Sequence, residues 1–510
     1  MSLLGLDVGT TGCKAIVFSR EGEPLSQSYQ EYDELYPRPG WAETDPNQIW
    51  NAIRQVISQA VAEASSPVEA ISTSVLGEGF HPIDKDGNPL RKTITSVDGR
   101  AQAETDAIGE QRSEIEIFEM TGMALHRSYA LPKIMWIRDN EPDVFRNTWK
   151  FVHYGDYVSM KLGVEPVVDQ SIAGRTLALD VRQRDWCDEI LEVAGIGREL
   201  LPRVAPAGEI IGEIPSSIAS ELGLPAGVKV VTGGHDQPVC ALGAGVLDPG
   251  LAADTTGTVE CMTIPMEKPV LTEAMLKQNL SVYPHVVPDR YVTLAFVYSA
   301  GNVLKWYRDK FASEERREAE MTGEDVYDIM VGRAAPGPSE VFLLPHFTGS
   351  GTPYLDGDSR GAILGLRLNA GPEHMVRAIL DGIAYEMRIN LEALKKAGIK
   401  VQRLHTIGGG AKSDEWLQSK ADILGARLHA LDVSEAGCLG AAMLAGTAIG
   451  VFPDLHTVAD HLVQERRIFK PRRAKRKLYN KAFKVYKKIY SSIKKVNHQI
   501  ADLARELDEA

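Results

Sequence analysis

The sequence predicts an α/β fold arranged as two domains of related plan. Segments of strand character alternate with helical ones along most of the chain, which points to sheets layered with helices rather than to bundles or sandwiches. At 510 residues, the chain exceeds a single ordinary domain of about 100–200 residues. A strand followed by a Gly/Thr turn occurs twice, at Gly9-Thr10-Thr11-Gly12 and at Thr256-Gly257-Thr258, and forms a weak internal repeat. The turn cluster Leu247-Asp248-Pro249-Gly250 just before the second copy sets the expected boundary near residue 248, with domains 1–247 and 248–510 facing each other across a cleft.

Taken in order, Leu4, Leu6 and Val8 alternate, the Gly/Thr turn interrupts, and Ala15-Ile16-Val17-Phe18 resumes before Glu21-Gly22 turns toward Pro24-Leu25. The chain therefore opens as a hairpin meander. Residues 46–63 read as an amphipathic helix capped by Asp45, with Ile49, Trp50, Ile53, Val56 and Ile57 on one apolar face. A buried-strand run at 228–232 ends in Gly233-Gly234-His235-Asp236-Gln237, and a helix of small residues follows through Cys240 to Gly245. The strand 404–407 leads into Gly408-Gly409-Gly410-Ala411-Lys412-Ser413, after which a helix is expected near Asp414. Residues 436–452 are almost wholly apolar, yet their Gly and Ala content and lack of large side chains favour a closely packed buried helix over a membrane span. In residues 470–495, Leu478, Phe483, Val485, Tyr486, Ile489 and Ile493 recur at near-helical spacing, which predicts a docked helix with a solvated basic face.

Composition narrows the function classes. The 56 Lys and Arg against 69 Asp and Glu give a net charge of −13, so the overall field repels nucleic acid and anionic membranes, and neither is expected as a partner. The five cysteines are scattered, without a Cys-x-x-Cys pair for zinc or redox chemistry, and the N-terminus opens directly into strand-like residues. A cytoplasmic location is expected.

Chemistry is suggested by the turns. Gly9, Thr10, Thr11 and Gly12 can wrap a phosphate with backbone N–H groups, although a structural tight turn reads equally well. Asp7 on the preceding strand is an odd choice for a buried position unless it holds a metal or a water. Lys14 either supplies charge to a phosphate or faces solvent. Gly257 and Thr258 form a matching phosphate turn, and Gly409, Gly410 and Ala411 lie at a strand-to-helix turn where a flat group can rest against the backbone. No Walker motif or dinucleotide fingerprint is present. Asp236, following two glycines at a strand end, is placed to take a proton from a substrate hydroxyl, its alternative being an N-cap.

These landmarks together resemble the carbohydrate kinases named for their Phe-Gly-Gly-Tyr signature. The carriers are Leu6-Asp7-Val8-Gly9-Thr10-Thr11-Gly12, Pro39-Gly40-Trp41-Ala42-Glu43, Asp98-Gly99-Arg100-Ala101 and Lys133-Ile134-Met135-Trp136, followed by Gly233 through Gln237, Thr352-Pro353-Tyr354 with Arg360-Gly361, and Gly408 through Trp416. The resemblance implies the actin, sugar kinase and Hsp70 (ribonuclease H-like) fold with a catalytic cleft between domains. It further implies ATP and Mg2+ as cofactors, Asp236 as general base, Asp7 at the metal, and the 408–411 turn against the adenosine. The expected partners are a small sugar and a second copy of the chain in a homodimer. Xylulokinases carry a Gln-Met-His-Gly-like segment where this chain reads Gly77-Glu78-Gly79-Phe80, and a Trp before Asn-Asp where it has Ser96-Val97-Asp98. Glu78-Gly79 with Asp98-x-Arg100 looks closer to the autoinducer sugar kinases. The expected substrate is a ketopentose such as xylulose, bound by Glu78, Gly79, Asp98, Asp236 and Gln237; the alternatives are another polyol or autoinducer-type sugar, or a non-catalytic ATP-binding switch. Glu78 read from the residues alone is either a surface turn or a cleft carboxylate.

Overall fold

The computed structural model describes residues 1–433 and 435–509. Two seven-stranded mixed sheets organise it, one built from strands in the first 235 residues and the other from strands between 251 and 469. In the first, Ser2–Val8, Gly12–Ser19 and Pro24–Glu31 form the antiparallel meander; Val68–Val75 joins the other side of Ser2–Val8 in parallel, followed by Lys229–Val231 and the antiparallel edge Ile210–Glu213. The second repeats this plan. Leu251–Thr256, Glu260–Met266 and Tyr291–Val297 form its meander, Arg403–Ile407 and Leu428–Leu431 run parallel, and Glu465–Phe469 closes the edge antiparallel. The internal repeat read from two Gly/Thr turns is thus a repeat of whole sheets.

Local chemistry explains the elements. Helix Pro46–Glu63 starts where the Asp45 side chain accepts from the Asn47 amide, with Pro at its first position, and buries Ile49, Ile53, Val56 and Ile57. Helix Asp414–Leu424 starts one residue after the glycine turn, capped by Ser413, which accepts from Trp416 N.

Two helices lie back to back between the sheets. Asp236–Gly243 follows the last strand of the first sheet, and Ala436–Ala448 crosses back to pack on Ser2–Val8. Their contact depends on missing side chains: a Cβ on Gly440 would sit 2.1 Å from Val239 O, one on Gly243 2.0 Å from Ala436 O, and one on Gly5 1.9 Å from Cys438 O. Residues 436–446 are therefore buried all round, because strand Ser2–Val8 on one side and helix Asp236–Gly243 on the other need a thin helix there. Among the described residues no helix is long and apolar enough to cross a membrane.

At the C-terminus, helices Arg473–Tyr486 and Ile489–Glu509 dock through Tyr479, Phe483, Tyr486, Ile489 and Tyr490. Leu478 and Val485, expected on the docked face, are instead 47% and 53% exposed. The reason is register: the face that meets helix Pro372–Lys396 is set by the three tyrosines, whose hydroxyls find partners at Asp381, Glu386 and Asp356.

Candidate active site

The two turns occupy equivalent ends of the two sheets. In the first, Gly9 N donates to Gly12 O at 3.0 Å, and the Tyr32 hydroxyl reaches the carbonyl oxygens of Gly9 and Gly12 from beneath. In the second, Gly257 N donates to Val259 O at 2.9 Å, while Gly301 N and Ala300 N donate to the carbonyls of Gly257 and Thr258. The amides of Gly9 and Gly257 therefore close their own turns, which corrects the expectation that the Gly257 amide points at a ligand. Those of Thr10, Thr11 and Thr258 have no partner among the described residues, and all three residues are exposed. They are the donors available to an anion.

Asp7 stands at the end of its strand with Ser74 Oγ donating to Oδ1 at 2.5 Å. Gly437, from the crossing helix, approaches so closely that a Cβ there would lie 2.8 Å from the same oxygen. Burial, joined by the negative charges of Asp236 and Glu435, outweighs the Ser74 bond and pushes the Asp7 carboxyl up to about 6. Lys14 pairs with Glu435 at 2.5 Å, so it is tied across the chain rather than left in solvent. Among the described residues no group of three or more His, Cys, Asp or Glu can hold a metal unaided. The negative charges of Asp236 and Glu435 near Asp7 are of the kind that a hard cation would offset.

Asp236 is the first residue of its helix, with a side chain 30% exposed and Oδ1 3.1 Å from His235 Nε2. The other ring nitrogen of His235 meets the Tyr283 hydroxyl at 2.8 Å. The Asp236 side chain caps nothing; His235 occupies the N-cap position. Beside it, Gln237 Oε1 is buried without a hydrogen-bond partner, as expected of a group awaiting a ligand.

The two carboxylates read as sugar acceptors are each engaged by an arginine. Glu78 Oε1 accepts from Nε of Arg175 at 2.8 Å and from Nη2, and the guanidinium lies 5.3 Å from the ring centre of Tyr129 and 5.2 Å from that of Tyr283. Burial alone would raise the Glu78 carboxyl, but Arg175 and then His235 hold it below its ordinary value. With its side chain 14% exposed, Glu78 is no surface-turn residue. Asp98 is buried, its oxygens taken by Arg100 Nε and Nη2 and by the Arg100 and Ala42 amides. It holds Arg100 in place and keeps no oxygen free for a sugar hydroxyl. Gly79 is buried against Tyr154, where a Cβ would lie 2.7 Å from the ring.

The third turn approaches the second. Gly408 has φ of +86°, and a Cβ there would lie 2.5 Å from Thr256 O; a Cβ on Gly410 would lie 2.6 Å from Thr256 Cγ2. Gly409 faces open space, and Ala411 O accepts from Arg466. Sequence reading missed Ser74, Arg175, His235, Tyr283, Glu435 and Gly437. For Glu435 and Gly437 a signal existed in the glycine spacing of 436–452, but nothing in the sequence pairs them with residue 7.

The comparisons agree with this geometry. The N-terminal domain of the FGGY family of carbohydrate kinases matches residues 2–243, and its C-terminal domain matches residues 252–449. A xylulose kinase from Bacillus subtilis is 28% identical over 97% of this chain and 98% of its own length. An autoinducer-2 kinase from Yersinia enterocolitica is 30% identical over 96% of this chain and 94% of its own. The solved xylulose kinase of Brucella ovis superposes with a TM-score of 0.84 at 28% identity, covering 97% of this chain and all of that one (100%). Two sheets repeating one plan, with glycine turns at equivalent ends and a family match on each half, place the chain in the FGGY family of carbohydrate kinases, with their two-domain actin-like fold and ATP-dependent activity.

Proposed function

We propose that this chain transfers the γ-phosphoryl group of ATP to a hydroxyl of a short sugar, a ketopentose such as xylulose being the leading candidate. The observation that carries the reading is Asp236: a carboxylate part-open to solvent at a helix start, oriented by His235 and adjacent to an unpartnered amide oxygen on Gln237. In this role Asp236 takes the proton of the substrate hydroxyl as its oxygen attacks phosphorus and ADP departs. The amides of Thr10, Thr11 and Thr258 receive phosphate charge, and the turn Gly409-Gly410-Ala411 lies against the adenosine. Asp7 would hold Mg2+, which when bound neutralises phosphate charge. We place the domain boundary near residue 248, between the two family matches.

A second reading, an autoinducer-type sugar, is favoured by the buried Glu78–Arg175 pair, since Glu78 lies in the segment where this chain departs from the xylulokinase pattern. A panel of ketoses, polyols and autoinducer-2 in a coupled ADP assay tests both. The largest kcat/KM is expected on D-xylulose. A larger value on autoinducer-2 moves the assignment to the second reading, and no sugar-dependent ADP release on any member overturns the kinase reading in favour of a binding switch.

A further inference from the structure

A lysine and two acids lie in the interior of the second half, outside every role assigned above. Lys420, Asp254 and Glu260 are 1%, 0% and 0% exposed. Lys420 Nζ donates to Asp254 Oδ2 at 2.7 Å and Thr256 Oγ1 at 3.0 Å, and forms an ion pair with Glu260 Oε1 at 2.8 Å. Such a cluster is weak evidence for stability, because desolvating the charges offsets their attraction, and apolar residues of similar size often serve as well. The chain itself shows that the hairpin needs no charges: superposing the closing pairs of the two hairpins, Val8–Cys13 and Thr256–Glu260, places Leu6 opposite Asp254 and Cys13 opposite Glu260 in the first sheet.

Position supplies the reason. Thr256 and Glu260 are the paired residues that close the hairpin around Gly257 and Thr258. Lys420 rides on helix Asp414–Leu424, which starts immediately after the 408–413 turn, and both Gly408 and Gly410 rest against Thr256. One ammonium therefore grips both strands at the base of one turn from the helix that carries the other. We propose that Lys420, with Asp254 and Glu260, is a positioning residue that fixes the separation of the 256–258 and 408–411 turns so that one nucleotide spans both. This rests on the reading of those turns as the nucleotide site.

The test measures ATP affinity of the full chain by calorimetry with ATP and MgCl2, alongside thermal unfolding, for four variants. Lys420→Met is expected to weaken ATP by roughly tenfold or more and to lower Tm, since two buried carboxylates lose their counter-ion. The charge-neutral triple Lys420→Met, Asp254→Asn, Glu260→Gln should recover Tm while ATP stays weak, and Thr256→Val, which removes only the bond to the turn, should weaken ATP with little change in Tm. Gly409→Asp, whose side chain enters open space, tests the underlying reading by adding a negative charge to the turn. Wild-type ATP affinity in the triple and in Thr256→Val, with affinity lost in Gly409→Asp, overturns the positioning role alone. Unchanged affinity in Gly409→Asp overturns the nucleotide-turn reading and the proposal with it.

Discussion

Glu78 and Arg175 form a buried ion pair that the proposed function puts beside the sugar, and removing either partner gives a quantitative test. Their side chains are 14% and 11% exposed, and the guanidinium rests between two tyrosine rings, so water replaces little of what a partner supplies. Breaking a buried pair by truncating one side costs about 3–5 kcal/mol, because the other charge stays behind unpaired. At about 2–4 °C per kcal/mol for a domain of 150–250 residues, Glu78→Ala or Arg175→Met should lower Tm by roughly 6–20 °C. The double variant leaves no stranded charge and should fall well short of the sum of the singles. On the proposed function, Glu78→Ala should raise the sugar KM by about tenfold or more while the ATP KM moves little, since Arg175 packs on Tyr283, whose hydroxyl meets the His235 ring beside Asp236. Differential scanning fluorimetry and coupled-assay kinetics on the three variants measure both effects. Additive Tm losses would show that the two residues act independently, and an unaltered sugar KM would place the sugar elsewhere.

Asp236→Asn should lower sugar-dependent phosphorylation by on the order of a hundredfold or more with ATP affinity near wild type, and unchanged turnover removes Asp236 from the chemistry. Gly437→Ala drives a methyl toward Asp7 Oδ1, 2.8 Å away, and Ser74 Oγ, 3.1 Å away, so turnover should fall at least about tenfold; steady-state kinetics matching wild type would free Asp7 of that constraint. Lys133 is buried with Nζ donating to Thr95 O and Ser128 O, each at 2.6 Å, and burial pushes its pKa down to about 7. The unfolded chain then holds a proton that the folded protein lacks between about pH 7 and the ordinary lysine value, so Lys133 adds stability as pH rises through that window and none of this gain remains at lower pH. Denaturant unfolding should show the wild-type stability gaining on Lys133→Met by up to about 1.4 kcal/mol per pH unit there; a flat or falling difference contradicts the shift.

Much of this protein is local and so was legible in order along the chain. The meander, the Asp45 cap, the glycine turns and the small-residue helix depend on alternation, capping and φ freedom, all written in neighbouring residues. Asp7, Asp236 and the turns could be singled out because a carboxylate or bare glycine at a strand end conflicts with its local setting. Partnership is different. Nothing near residue 7 announces Gly437, nothing near Glu78 announces Arg175 97 positions away, and Asp98 looked free because the arginine that takes both its oxygens also had the choice of solvent. Which face of the C-terminal helix is covered, and which ammonium joins Asp254 to Glu260, depend on contacts between segments 98 to 166 residues apart. Local pattern sets which groups carry charge and which turns can bend. The packing of one sheet against the other sets which charges are neutralised within the protein and which remain for a ligand.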